Sequence, residues 1–169
     1  MEPYLDRLYH KAYDIEKITR LTPKPGGKPH ILDKYFGVDC IIRITNGMIV
    51  TVQEKIRQLY QMHWDDFTLE HYSNNRGEKG EFFHLCTDIY TYGWGDKENG
   101  LIKANIFKTY EVKSAIMNKT LIGKLSSNRD HSSATFFAYP FENFKQDWFI
   151  YQYKSLPRVG SDQSGSPTS

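Results

Sequence analysis

From Glu2 to Leu21 apolar side chains recur at spacings of three and four (Leu5, Leu8, Tyr9, Ala12, Tyr13, Ile15, Ile18, Leu21), the period of an amphipathic helix. Thr22-Pro23 closes it, and Pro23-Lys24-Pro25-Gly26-Gly27-Lys28-Pro29 reads as a loop, because three prolines and two glycines sustain neither helix nor ladder. The pattern then changes. Val38–Ile44 and Met48–Tyr60 are β-branched runs on either side of Asn46-Gly47, the strongest short-range hairpin signal. Phe67–Tyr72 reads as a third strand and Ser73–Gly80 as a polar turn. Phe82, Leu85, Ile89 and Tyr92 share a helical face, so Phe82–Tyr92 is expected to be a helix ended by Gly93 and Gly95. Leu101–Phe107 reads as a strand, Val112–Lys124 fits helix or strand, and Thr135–Tyr139 and Trp148–Tyr153 read as late strands. The expected order, helix, three strands, helix, strand, makes an α/β layered domain with a mixed central sheet flanked by helices.

Length changes the picture little: 169 residues suit one domain, expected over 1–154, with a Ser/Gly/Pro-rich tail over 155–169 expected to be disordered. No apolar run approaches the roughly 20 residues of a membrane span, and the charged N-terminus lacks a signal-peptide core. Cys40 and Cys86 lie in apolar segments without metal-type spacing, and are expected to be buried thiols of a reducing compartment, hence a cytoplasmic protein. The net charge of +2 is uninformative, but Leu101–Arg129 carries Lys103, Lys108, Lys113, Lys119, Lys124 and Arg129 against Glu111 alone, a basic segment able to track phosphates. The 12 Tyr and 10 Phe suit both strands and recognition surfaces.

The candidate chemistry sits on the hairpin. A hairpin folds its own ends together, so Asp39 and Gln53-Glu54-Lys55 are expected side by side: a carboxylate, a second oxygen donor and an ammonium, suited to a hard cation and a phosphodiester. Alternation puts Thr51, Gln53 and Lys55 on one face and Val50, Val52 and Glu54 on the other. With a two-residue turn Asp39 faces Glu54; with a three-residue loop it faces Gln53, the arrangement that matches the polar faces better. His63, His71 and His84 lack zinc-ligand spacing, and Pro25-Gly26-Gly27-Lys28 lacks the full phosphate-loop frame.

In element order and in Asp39 followed by Gln53-Glu54-Lys55, the chain resembles the PD-(D/E)XK nuclease superfamily over roughly Glu2–Lys108. The resemblance implies a restriction-endonuclease-like α-β-β-β-α-β core and a metal-dependent deoxyribonuclease, an endonuclease-type hydrolase suited to a phage or mobile element. Its alternative is a non-catalytic member of the same fold that binds nucleic acid or protein. Gln53 stands where most members carry an acid, though branches resembling VRR-type nucleases carry Gln there too, and it lowers the negative charge offered to the metal. The resemblance further implies Mg²⁺ or Mn²⁺ held by Asp39 with Gln53 or Glu54, Glu16 of the first helix completing the shell, and Lys55 positioning the attacking water. It also implies DNA contacts from a His84, Asp88 and Tyr92 stripe on the second helix, with Lys103 and Lys108 along the basic segment. DNA is the expected partner, a homodimer is left open, and no membrane is involved.

Overall fold

The computed structural model describes residues 1–21, 28, 30–74, 76–127 and 134–155. Most of the proline-rich loop, Arg129 and the tail beyond Ser155 lie outside the described residues. The order is α1 (Glu2–Ala12), β1 (Ile15–Arg20), α2 (Ile31–Phe36), β2 (Cys40–Ile44), β3 (Ile49–Arg57), a 3-10 turn (Leu59–Trp64) and β4 (Asp66–Tyr72). There follow α3 (Glu81–His84), β5 (Ile89–Asp96), β6 (Gly100–Lys108), α4 (Thr109–Met117), β7 (Lys124–Ser127), β8 (Thr135–Pro140) and β9 (Phe149–Lys154). A mixed six-stranded sheet runs β1-β2-β3-β5-β6-β9, antiparallel except where β3 meets β5 in parallel. A second, antiparallel sheet runs β4-β8-β7.

The expected first helix is half right. It stops at Ala12, Tyr13 is extended, and Ile15–Arg20 is an edge strand pairing with β2. A bulge between Ile15 and Lys17 explains the deceptive period: the extra residue turns Ile15 and Ile18, three apart, onto the same core-facing side of a strand. The expected Phe82–Tyr92 helix is also corrected. Only Glu81–His84 is helical, and Ile89–Asp96 is a strand buried on both faces, with Gly93 and Gly95 inside it. A central strand reads as a continuous apolar run, so its spacing is compatible with a helix until neighbours are known. Val112–Lys124 divides into the end of α4 and the approach to β7. The expected strands at Leu101–Phe107, Thr135–Tyr139 and Trp148–Tyr153 form as β6, β8 and β9. Phe67–Tyr72 is a strand as well, but it belongs to the second sheet.

Two cores follow from strand alternation. On one face of the large sheet, Leu5, Leu8 and Tyr9 of α1 pack on Cys40, Ile42, Val50, Val52, Ile89 and Ile106. On the other, Tyr90, Tyr92 and Trp94 meet Phe67 and Leu69 of the second sheet and Val112 of α4. Phe67 is fully buried and meets Tyr90, Tyr92 and Phe107 edge-to-face, the favoured geometry of aromatic pairs. Helices therefore flank the mixed sheet, but a second sheet supplies much of one layer. Both thiols are free; Cys40 is buried, whereas Cys86 is exposed, contrary to expectation. Among the described residues no helix is long and apolar enough to cross a membrane.

Candidate functional site

The hairpin between β2 and β3 closes with three residues. Gly47 adopts φ 85° and donates to the Ile44 carbonyl at 2.8 Å, and the Ile44 N–H donates to the Met48 carbonyl at 2.9 Å. Cys40 consequently faces Val52, the register of the longer loop, which brings Asp39 to Gln53. Asp39 precedes the ladder, donating its N–H to the Val52 carbonyl at 2.8 Å and accepting at Oδ2 from the Glu54 N–H at 2.7 Å.

β3 runs beside β5 with Gln53, Lys55 and Arg57 across from Tyr90, Tyr92 and Trp94, so this polar row faces the second sheet. Gln53 Oε1 is buried and has no hydrogen-bond partner among the described residues. It lies against Gly37, the left-handed cap of α2 at φ 63°, where a Cβ would come within 2.6 Å of it. Lys55 Nζ donates to Glu81 Oε2 at 2.8 Å and to the Thr68 carbonyl at 3.3 Å. The other Glu81 oxygen accepts from the Tyr90 hydroxyl. Burial pushes the Asp39 carboxyl up to about 7, the negative charges of Glu54, Asp33 and Glu81 add to this, and the Glu54 N–H opposes it.

Glu54 points the other way. Its Oε1 accepts from the Tyr9 hydroxyl at 2.6 Å and its Oε2 from Arg20 Nη1 at 2.5 Å, while Arg20 also holds Asp6. Burial opposes the Arg20 charge, but the two carboxylates outweigh it, and the guanidinium is held more firmly protonated than usual. Burial and the Glu54 anion together raise Tyr9 well above the ordinary phenol value. Both Glu54 oxygens are thus engaged in a network beneath α1, on the opposite face from Gln53 and Lys55.

The remaining expected residues are dispersed. Glu16 lies on β1 rather than on a helix, paired with Arg43 at 2.6 Å near the hairpin loop, at the end of the strands opposite Asp39. His84, Asp88 and Tyr92 form no helical stripe, because the segment is not one helix. His84 ends α3, with Nε2 3.3 Å from the Lys79 carbonyl. Asp88 accepts from the Thr51 N–H and hydroxyl, both at 2.7 Å, and Tyr92 is buried with its hydroxyl 2.7 Å from Thr68 Oγ1. Lys103 pairs with Asp65 at 2.5 Å and lies over the Trp94 ring, and Lys108 donates to the Asp147 carbonyl at 3.0 Å. Sequence reading missed Glu81; its only local signal is an acid in the first turn after Gly80.

The donor set suits a sparse oxygen site. A buried amide oxygen with no partner and a carboxylate short of compensating positive charge would both be satisfied by a hard cation that keeps several waters. Among the described residues no cluster of three or more His, Cys, Asp or Glu forms, so Asp39 and Gln53 carry the fit, with backbone carbonyls and water as further donors.

The Asp39 shift has a sign. Its folded pKa lies above the ordinary 3.8, so the native state keeps a proton that the unfolded chain releases, and stability falls as pH rises from about 4 to about 7. Asp39→Asn retains an acceptor for the Glu54 N–H and removes that penalty. Thermal unfolding of the metal-free variant should show a gain on the order of 2 kcal/mol at about pH 8 and almost none near pH 4. A gain of equal size at both pH values would show that Asp39 is not the titrating group.

Compared with protein-family models, with curated proteins and with solved structures, the chain matches none.

Proposed function

We propose that this chain is a metal-dependent nuclease that hydrolyses phosphodiester bonds of DNA, built on a restriction-endonuclease-like core. The observation that carries the reading is the register that sets Asp39, just before β2, opposite Gln53, with Gln53 and Lys55 on one face of β3. The chain order adds support: α1, β1, α2 and the hairpin β2-β3 are followed, after β4 of the second sheet, by α3 and by β5 parallel to β3. The order resembles the expected α-β-β-β-α-β core, with α2 added, with Ile15–Arg20 rather than Phe67–Tyr72 completing the three strands, and with Ile89–Asp96 rather than Leu101–Phe107 as the last strand.

Asp39 and the Gln53 amide oxygen would hold Mg²⁺ or Mn²⁺. The chemistry such an ion would supply there is a lowered pKa for a water and polarisation of a phosphoryl oxygen. Lys55 would present its ammonium to the phosphate and stabilise the charge that develops as the bond from the attacking water's oxygen to phosphorus forms and the bond to the leaving oxygen breaks. Glu81 holds the ammonium in place, itself steadied by Tyr90. The neutral Gln53 leaves the ion a single formal negative charge among these two ligands, so binding is weaker than in a two-carboxylate site.

The ion pair that occupies Lys55 favours a second reading, a non-catalytic module of the same fold that binds nucleic acid or protein. Incubation of plasmid and single-stranded DNA with Mg²⁺ or Mn²⁺ separates the two. Cleavage is expected that is abolished by a chelator and by Asp39→Ala, with the circular dichroism of the variant unchanged. Cleavage that survives in Asp39→Ala removes the hairpin from the active site, and none from the wild type with either ion favours the binding module.

A further inference from the structure

Beyond Lys55 on the same face, a cleft of about 730 Å³ opens between the 3-10 turn, β4 and the paired strands β7 and β8. Tyr60 and Trp64 line it, 70% and 55% exposed; the His63 ring lies tilted 4.3 Å from Trp64, and the rest of both rings is left open to a stacking partner. Arg57 lines it too, its guanidinium braced by Gln61 at 2.8 Å and by Thr68, and Lys124 adds an exposed ammonium. Asp66 supplies a half-buried acceptor. Arg57 follows Lys55 by two residues on one strand face, a separation of about 7 Å, comparable to the step between neighbouring phosphates of an extended strand.

We infer that this cleft receives an unpaired nucleotide of single-stranded nucleic acid, adjoining the phosphate presented to Lys55. The base stacks on Trp64 with Tyr60 beside it, Arg57 and Lys124 face its phosphates, and the Asp66 carboxylate accepts from an exocyclic amino group. A paired base cannot offer its face to a side chain, whereas an unpaired one stacks on aromatics irrespective of sequence. The position beside Lys55 rests on the nuclease reading; the stacking does not.

The test uses the full chain in chelator, where nothing is cut, and fluorescence anisotropy with a short labelled oligodeoxycytidylate, whose bases carry an exocyclic amino group, and a duplex of equal length. The single strand should bind more tightly than the duplex. Trp64→Ala should weaken single-strand binding about 5- to 100-fold, the usual range for one stacked base, and leave duplex binding unchanged. Lys124→Ala should flatten the salt dependence of single-strand binding by about 0.7 in the log–log slope. Preference for the duplex, no loss in Trp64→Ala, or no binding to either oligonucleotide would overturn the inference. Tight single-strand binding that depends on Trp64, with no cleavage when Mn²⁺ is added, supports the cleft and rejects the nuclease. Cleavage by Trp64→Ala with unaltered affinity does the reverse.

Discussion

Lys55→Ala should lower the turnover of the metal-loaded protein by about 100- to 1,000-fold, the scale lost when one preorganised electrostatic group is removed from a site. Affinity for the oligonucleotide should change far less, since one phosphate contact among several carries a fraction of the binding. The structure sharpens this expectation. Lys55 is three-quarters buried and held by Glu81 and the Thr68 carbonyl, so its ammonium is already oriented before substrate arrives. Lys55→Arg should rescue poorly, because a planar fork does not fit a pocket shaped around a compact ammonium. The variant should remain folded, because Glu81 keeps the Tyr90 hydroxyl as a donor. Single-turnover kinetics and binding measured side by side decide the matter: equal losses in both, or a loss in neither, would make Lys55 a structural residue.

The largest expected effect on stability belongs to Glu54→Ala, at about 3–5 kcal/mol, the loss seen when one partner of a buried ion pair is removed. Arg20 and Glu54 side chains are only 16% and 11% exposed, and Asp6 alone would remain for the guanidinium. The Tyr9 hydroxyl would lose its acceptor at 2.6 Å and keep only Thr91 Oγ1, 3.0 Å away. Glu54→Gln retains an acceptor for Tyr9 and should cost less. Below its unfolding temperature Glu54→Gln should also cleave at a rate near that of the wild type. Denaturant unfolding combined with a cleavage assay distinguishes the roles: a stable Glu54→Gln protein without activity would transfer the metal site from Gln53 to Glu54.

The hairpin was legible because its determinants are local. Asn46-Gly47 between β-branched runs specifies a turn within a few residues, and alternation then assigns Gln53 and Lys55 to one face and Glu54 to the other. That left one uncertainty, two or three loop residues, which the Ile44–Met48 hydrogen bond resolves in favour of Gln53. Composition and spacing likewise marked β6, β8 and β9, strands whose apolar runs are bounded by turn residues.

Other features depend on partners distant in sequence. A bulge made Ile15 and Ile18 mimic a helix, and burial on both faces did the same for Ile89–Tyr92, so His84, Asp88 and Tyr92 never formed a stripe. Glu81 reached Lys55 across 26 residues and Tyr9 reached Glu54 across 45, contacts that no local pattern encodes. The sequence by itself determined the hairpin, the face on which its polar residues lie and the candidate pair Asp39 and Lys55, because turn chemistry and strand period are properties of adjacent residues. Only the tertiary structure decided that Glu54 belongs to the α1 network, that Gln53 Oε1 has no hydrogen-bond partner among the described residues and that Glu81 braces Lys55, because which side chains share a buried space is set by the packing of whole layers.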